Sequence, residues 1–366
     1  MFVVKKKNIL YLIVLSLAIL SIIQSIYLLN SSKKLENCEQ HILDVFKTQE
    51  IRQEVSKIKN MGASFWDFYP SKITSNKIYM KGPFPLNSEH MQDIISYVRS
   101  VFEYNCKPDA EVVIFIISDP NHYLIRQDIR ATYGKNHVNY KYAFSKTHKK
   151  NISHCCLYSI GYRDDIAVNQ QVDYEAYTHR DILRIPVLDA YRETANKIIL
   201  TPYLLDQMNN SFEYVLKSDD DTFLKINKII PYLQNLEKEH VFIGHKWIEG
   251  PAIRNKSHKW YVSEDDHPGD VFKPYLSGSC YIFRRNIIHN VSLEHYRTSL
   301  IPMEDIHISY LVSNLGYNIT NSPYFYYCTN YSQCNHSYAV QIGHDLFVRK
   351  MLYKFLKADV VHDGDD

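Results

Sequence analysis

Three consecutive carboxylates, Asp219, Asp220 and Asp221, lie in the stretch Lys217-Ser218-Asp219-Asp220-Asp221-Thr222-Phe223, directly after the apolar run Tyr214-Val215-Leu216. Adjacent carboxylates repel one another, so a folded domain tolerates such a run at a strand end only with a compensating partner. A divalent cation of oxygen preference, Mg2+ or Mn2+, supplies that charge and also binds diphosphate oxygens, which suits the run to a nucleotide-diphosphate site. Taken alone, the run reads equally well as a solvated acidic loop or a calcium loop, because charge runs are usually solvated faces. The sequence holds no EF-hand spacing and no glycine-rich P-loop, so the usual phosphate-cradle patterns are excluded. A second acid pair, Glu304-Asp305, precedes the apolar segment Ile306 to Leu315. Acids at a helix N-terminus favour the macrodipole, which is one reading of the pair. The other is a general base, since one carboxylate beside another is tuned toward the working pH.

The elements around these acids predict how they are positioned. Val112 to Ile117 is a continuous apolar, β-branched run ended by Ser118-Asp119-Pro120, the pattern of a strand buried on both faces. A helix is expected over Tyr123 to Tyr133, closed by Gly134 as its C′ residue. Then follow a strand over Ile182 to Val187, a helix over Tyr191 to Met208, and a strand over Tyr214 to Leu216 that runs into the acids. This β–α–β–α–β alternation predicts an α/β fold with a mainly parallel sheet, in which ligands bind at the carboxyl ends of strands.

The rest of the chain bounds the class. Of 366 residues, 45% are hydrophobic, 13% aromatic (30 of them tyrosine) and 22% charged, enough to bury a sizeable core. A net charge of +2 gives no electrostatic reason to expect a nucleic-acid partner. Lys5, Lys6 and Lys7 precede an apolar stretch from Ile9 to Leu29. Roughly 20 apolar residues suffice to cross a bilayer as a helix, whereas a cleaved signal has an apolar core of about 7–15. The lysines put the N-terminus in the cytosol and all that follows residue 30 in a lumen. The expected organisation is a cytosolic tail (1–8), a signal-anchor helix (9–29), a polar stem (30–105) and a folded domain (106–366). Sequons at Asn151, Asn209, Asn255, Asn290, Asn318, Asn330 and Asn335 fit a lumenal body by their density. The seven cysteines form no C-x-x-C pair and no zinc spacing; in an oxidising lumen Cys328 and Cys334 are the plausible local bridge. The odd count leaves one thiol over, and Cys38 in the stem would link two chains as a homodimer.

The chain resembles the β-1,3-galactosyltransferase and β-1,3-N-acetylglucosaminyltransferase family, which also contains the fringe enzymes. Arg126-Gln127-Asp128-Ile129-Arg130-Ala131-Thr132-Tyr133 resembles its R-x-x-I-R-x-T-W segment, and Tyr158-Ser159-Ile160-Gly161 its F-x-x-G strand end. Glu175, Asp181-Ile182-Leu183, Asp189, Tyr191 and Lys197 match its E…D-I…D-x-Y…K spacing. Lys217 with Asp219 to Asp221 and Phe223 looks like K-x-D-D-D-x-F. Lys259-Trp260-Tyr261-Val262-Ser263, then Pro274-Tyr275, Ser277-Gly278 and Tyr281, resemble K-W-Y-V-S…P-Y-x-S-G-x-x-Y, and Glu304-Asp305-Ile306 resembles E-D-V. These segments run in the family's order over roughly residues 110 to 345.

The resemblance implies a GT-A fold, a single Rossmann-like domain with a mainly parallel central sheet, in a Golgi type II membrane protein. It implies transfer of galactose or N-acetylglucosamine from a UDP-sugar, with inversion, to a glycan hydroxyl on glycoprotein or glycolipid. On that pattern Asp221 ligates Mn2+, and Asp219 or Asp220 contacts the ribose or the metal's water shell. Asp305 is the general base, with Glu304 the less favoured candidate, and His344 is a third metal ligand. Arg126, Arg130, Asp181 and Lys197 fall on the donor-binding side. Trp260, Tyr275 and Gly278 face the sugar or acceptor, although a large aromatic such as Trp260 is equally read as core. Tyr133 for the family's Trp, Glu193-Thr194-Ala195 for N-L-T, Cys280 for a small residue and Ser309 for Gly put donor and acceptor choice in doubt. They also leave open a catalytically inactive glycan-binding or chaperone-like relative, and a secreted structural glycoprotein explains the sequons and cysteines alone.

Overall fold

A computed structural model describes residues 81–134, 140–143, 149–325 and 336–343. The candidate membrane segment 9–29 and most of the expected stem, His344, Cys328, Cys334, Asn330 and Asn335 lie outside the described residues. Among the described residues no helix is long and apolar enough to cross a membrane.

The first described helix, α1 (Met91–Asn105), repeats apolar residues at helical spacing and buries Ile94, Val98, Val101 and Phe102. Strand β1 (Ala110–Ile117) follows, then α2 (Tyr123–Arg130), β2 (Tyr140–Ala143), the long β3 (Lys149–Tyr162), α3 (Ile166–His179) and β4 (Ile182–Leu188). A 3-10 turn (Tyr191–Glu193) leads into α4 (Thr194–Asp206), β5 (Tyr214–Asp219), β6 (Thr222–Leu224), α5 (Ile226–Gln234) and β7 (Phe242–Trp247). A short hairpin, β8 (Gly250–Pro251) and β9 (Val271–Phe272), precedes β10 (Tyr275–Arg284). The described chain ends with α6 (Ile288–His295), α7 (Glu304–Asn314), β11 (Ile319–Asn321) and β12 (Ala339–Gln341).

The central sheet has the order β11-β7-β10-β5-β1-β3-β2, with β4 also paired to β3. Pairs β1/β3, β1/β5, β3/β4 and β7/β11 are parallel; β10 runs antiparallel to both β5 and β7, and β2 antiparallel to β3. The expected α/β architecture with a mainly parallel sheet is therefore what the chain forms. Val112 to Ile116 and Tyr214 to Ser218 are buried throughout rather than alternately, as strands covered on both faces must be. Helices α1 and α4 pack on β3 and β4, α7 packs on β10 and α4, and α6 packs on α4 and α7.

Two local expectations change, and one disulfide is new. Helix α2 stops at Arg130, and Gly134 does not adopt the left-handed conformation of a C′ residue. Glycine is required there by space instead, because a Cβ on Gly134 would come within 2.6 Å of Ile129 Cγ2. Second, α1 is part of the packed body, whereas the sequence reading places residues up to 105 in the stem. The Tyr97 hydroxyl donates to the Ile182 carbonyl at 2.7 Å, and Cys106, the C-cap of α1, is disulfide-bonded to Cys155 on β3. The Cys106–Cys155 bridge was not among the sequence expectations, and the expected Cys328–Cys334 pair lies outside the described residues. Among the described residues Cys156 and Cys280 are buried thiols, and burial pushes both up.

Candidate active site

In the parallel part of the sheet the order is β4-β3-β1-β5. The connection from β1 through α2 leads to one side and β5 lies on the other, so strand order reverses between β1 and β5. A crevice at the carboxyl ends of such a pair is where open α/β sheets bind ligands. Ile117, the last residue of β1, pairs with Asp219, the last of β5, and with Ser159 of β3, so the ends of β1 and β5 are level. The acidic triplet emerges at this point.

The triplet divides where the strand ends: Asp219 is the last residue of β5, and Asp220 and Asp221 form the turn into β6. Asp220 is buried and faces back toward β1, where its Oδ2 is 2.8 Å from His122 Nδ1. Asp219 and Asp221 are electrostatic neighbours. The Asp221 carboxylate accepts from Gln341 Nε2 at 2.8 Å and from the Thr222 hydroxyl at 3.2 Å. Its main-chain carbonyl accepts from Ile342 N and Gly343 N at 2.7 and 3.1 Å. Strand β12, paired antiparallel to β6, therefore clamps the loop that carries the triplet.

The second acid pair comes to the first. Glu304 and Asp305 open helix α7, as the helix N-terminal reading expects. Lys217, fully buried in mid-strand, donates to Asp219 Oδ1 at 2.6 Å, to Glu304 Oε1 at 2.8 Å and to the Gly278 carbonyl. The other Glu304 oxygen accepts the Tyr281 hydroxyl at 2.6 Å. Asp305 accepts from Gly278 N at 3.2 Å and from Ile306 N at 2.9 Å. Gly278 sits where the β10–β7 register is interrupted between Leu276 and Tyr281, an irregularity of the kind that re-aims backbone beside active sites. A Cβ there would lie 3.0 Å from Glu304 Oε1 and 3.2 Å from Asp305 Oδ2, so glycine permits the close approach.

The charges of the cluster follow from this packing. Burial opposes a charged Lys217, but Asp219 and Glu304 outweigh it and hold the ammonium charged. Burial pushes Asp219 up, Lys217 pulls it back, and Asp221 and Glu304 push it again, leaving it at about 7. Asp305 is raised by burial against the pull of the Ile306 N–H, and Glu304 is raised by burial against Lys217. A carboxylate lifted toward neutral pH is the right kind of proton acceptor for a hydroxyl. The Lys217 ammonium contacts Asp219 and Glu304, while Asp221 and Asp305 add negative charge that Asp219 feels or exerts. That excess negative charge, with hard oxygen donors on Asp219 and Asp221, fits a divalent cation of oxygen preference. The three triplet side chains do not converge on one point. Among the described residues the close-set group of potential ligands is the exposed Glu237, Glu239 and His240, an acidic surface cluster.

Arg126, Arg130 and Asp181, expected on the donor-binding side, are linked, with Glu175, in buried ion pairs. Arg126 is fully buried and engages every N–H of its guanidinium with protein oxygens: Glu175, the Ser118 hydroxyl and the Asp119 and Pro120 carbonyls. No donor is left for a nucleotide; Arg126 instead shapes the loop after β1. Arg130 grips both oxygens of Asp181 at 2.7 Å each and reaches Glu175 Oε1 at 2.7 Å. Burial would raise the Glu175 carboxyl, but the two guanidiniums hold it below its usual range. Lys197 is buried on Asp189 Oδ2 at 2.8 Å, and the same oxygen accepts Gly161 N at 2.6 Å, which fixes the ends of β3 and β4 together.

Trp260 is not core: it is 54% exposed. It lies on the excursion between β8 and β9, next in sequence to Lys259, whose ammonium is 4.9 Å from the centroid of the Tyr191 ring. Burial, and then the charges of Asp305 and Glu304, push the Tyr191 phenol up to about 12, so this aromatic group lies beside the acids. Tyr275 is half-buried at the start of β10, and the Asp305 charge also raises its phenol after burial does. Sequon residues Asn209, Asn255, Asn290 and Asn318 are exposed, while the side chain of Asn151 lies outside the described set. Sequence reasoning assigned no role to Lys217, Tyr281, His122, Gln341 or Tyr191. The first had a readable signal, a cation inside an otherwise apolar strand, which demands a buried partner.

With this geometry in view, comparison with known proteins gives a consistent result. The galactosyltransferase family model matches residues 125–323, more than half of the chain. The chain is 25% identical over 242 residues to human and mouse beta-1,3-galactosyltransferase 1, covering 65% of this chain and 71% of those proteins. It is 26% identical over 209 residues to human UDP-GalNAc:beta-1,3-N-acetylgalactosaminyltransferase 1, covering 57% of this chain and 61% of that protein. Among solved structures, mouse xyloside xylosyltransferase 1 matches with 9% identity and a TM-score of 0.31 over 64% of this chain and 97% of that one, too low to bear on the fold. The matched segment contains the acidic triplet, Lys217 and the Glu304–Asp305 pair, and the chain is a hexosyltransferase belonging to the galactosyltransferase, β-1,3-glycosyltransferase family.

Proposed function

We propose that the protein is an inverting β-1,3-glycosyltransferase that moves galactose, or alternatively N-acetylglucosamine, from a UDP-sugar to a hydroxyl of a glycan on glycoprotein or glycolipid. The observation that carries this reading is the meeting of Asp219 and Asp221 with Glu304 and Asp305 around Lys217 at the switch point of the sheet. Asp305 takes the proton of the acceptor hydroxyl. The oxygen attacks the anomeric carbon from the face opposite the diphosphate, the carbon–oxygen bond to phosphate breaks, and its electron pair leaves on UDP. Single displacement inverts the anomeric centre. Glu304 is tied to the Lys217 ammonium and the Tyr281 hydroxyl, whereas Asp305 accepts only from backbone N–H groups, which favours Asp305 over Glu304 as base. Asp221 and Asp219 would hold a divalent cation, Mn2+ first, whose Lewis acidity stabilises charge on the departing UDP. Trp260, Tyr275 and Tyr191 offer aromatic faces for the sugar or acceptor. Residues 9–29 as a signal anchor, with the folded body in the Golgi lumen, complete the reading.

The test uses the full chain purified in detergent and supplied with a UDP-sugar panel, Mn2+ and acceptors, with UDP release as readout. Donor- and acceptor-dependent turnover that EDTA abolishes is expected. Asp305→Asn should keep UDP binding and lose transfer by 100-fold or more, on the order of a removed general base. Asp221→Asn should weaken Mn2+-dependent UDP binding. No turnover with any donor, together with UDP binding indifferent to EDTA, would leave a non-catalytic binding protein.

A further inference from the structure

The reaction just described needs two bodies held in fixed relation: the loop of Asp219 to Asp221, on β5, and the base, on the first turn of α7. Nothing in the backbone joins them, since 87 residues separate Lys217 from Glu304. The side chain that spans the gap is Lys217. Its three N–H donors meet three acceptors from three elements: Asp219 Oδ1 on β5, the Gly278 carbonyl on β10 and Glu304 Oε1 on α7. The ammonium is sealed from solvent, with the Tyr281 ring below it at 5.2 Å. Tyr281 in turn closes the second Glu304 oxygen, so Glu304 is fixed at both ends. Gly278, whose carbonyl accepts from Lys217, gives its N–H to Asp305.

We propose that Lys217 is a positioning residue for glycosyl transfer, a buried ammonium that locks the donor-side carboxylate Asp219 to the base-bearing turn Glu304–Asp305 through Glu304 and Gly278. The inference rests on the reading of Asp305 as base and of the triplet as the donor site. Lys217 has no surface left to touch a sugar or a phosphate, so it acts on the acceptor proton only through the groups it holds. Its removal leaves the negative charge at Asp219 and Asp221 intact, or increases its effect, and so does not remove the attraction for a divalent cation. The fault falls on the placement of Asp305 and therefore on turnover.

The test compares full-chain wild type, Lys217→Met, Glu304→Gln and the double variant. Binding of UDP with Mn2+ is measured by titration, and kcat and KM for the UDP-sugar are measured separately, with thermal unfolding of each protein. Lys217→Met is expected to bind UDP–Mn2+ within threefold of wild type and to lose at least 50-fold in kcat. Glu304→Gln, which keeps an oxygen for Lys217 and removes one negative charge, is expected to lose about tenfold in kcat. The double variant should fall no lower than Lys217→Met, because Glu304→Gln weakens the same link that Lys217→Met removes. If Lys217→Met does not fold, Glu304→Gln decides alone: retained UDP binding with reduced kcat supports the lock, and unchanged kcat overturns it. A loss of UDP–Mn2+ binding in folded Lys217→Met, full retention of its kcat, or multiplicative losses in the double variant overturn it as well. Absence of turnover in the wild type would instead defeat the functional reading, a separate outcome.

Discussion

Arg126 and Arg130 show at the scale of single residues why a cation in a recognisable segment is not thereby a ligand-binding group. Their partners, Glu175 and Asp181, lie 45 to 51 residues away, so pairing became visible only once α2, α3 and β4 were packed together. The acids were different. Asp219 to Asp221 and Glu304–Asp305 were legible because like charges at a strand end, or at the start of an apolar helix, are conspicuous without any tertiary knowledge. Removing one member of a buried ion pair typically costs about 3–5 kcal/mol, since the other charge is stranded. Arg126→Met is therefore expected to lower stability by about 3 kcal/mol, the lower end because Arg130 still reaches Glu175. UDP affinity of the folded fraction should stay within threefold. Thermal unfolding and UDP titration check the pair; a tenfold loss of affinity in folded protein would return Arg126 to the nucleotide.

At the scale of elements, the strands were the most readable part. Val112 to Ile117 and Tyr214 to Leu216 are apolar without alternation, and both became two-sided strands of the parallel sheet. What composition hid was the attachment of α1. Its surroundings are polar and charged, and a single amphipathic helix does not announce the surface it packs on. The Cys106–Cys155 bridge was hidden for the same reason, because the two thiols are 49 positions apart with β1, α2 and β2 between them. Closing a loop of that size removes about 4 kcal/mol of chain entropy from the unfolded state. Cys106→Ser with Cys155→Ser is expected to lower stability by about 2–4 kcal/mol, seen as a reduced unfolding midpoint under non-reducing conditions. An unchanged midpoint would mean that α1 is held by its apolar face and the Tyr97 hydrogen bond alone.

For the molecule as a whole, three buried histidines set how stability responds to acid. His307 donates through Nε2 to His295 Nδ1 at 2.9 Å, and His295 Nε2 donates to Asn196 Oδ1 at 2.9 Å, an arrangement that needs both rings neutral. Burial lowers His154 and His295 to about 4 and His307 to about 3. In the unfolded chain these groups take up protons near pH 6.5, and in the folded one they do not. Their contribution is thus present above 6.5 and is lost as pH falls toward 4. The raised acids at the site act in the opposite sense, gaining stability as pH falls below about 7. The two are separated by a difference measurement. The stability gap between wild type and His307→Gln should be widest at pH 7.5 and narrow steadily toward pH 4.5, since only wild type carries that penalty. A gap constant with pH would mean that His307 does not remain neutral in the folded protein.

The pairing of β12 with β6 has a consequence for the order in which the protein is assembled. Gln341 reaches Asp221 across 120 residues of chain, and Ile342 and Gly343 close on its carbonyl. Glu304 joins Lys217 only after the whole of β10 has been laid antiparallel against β5. A chain growing from its N-terminus can pair β1, β3, β4 and β5 early, but it carries an unclamped acidic loop until its last described strand arrives. Contacts of such sequence separation form late and slowly. The nascent protein therefore acquires its sheet well before it acquires a competent catalytic centre, and a chain cut short before β12 would look largely folded yet lack the clamp on Asp221.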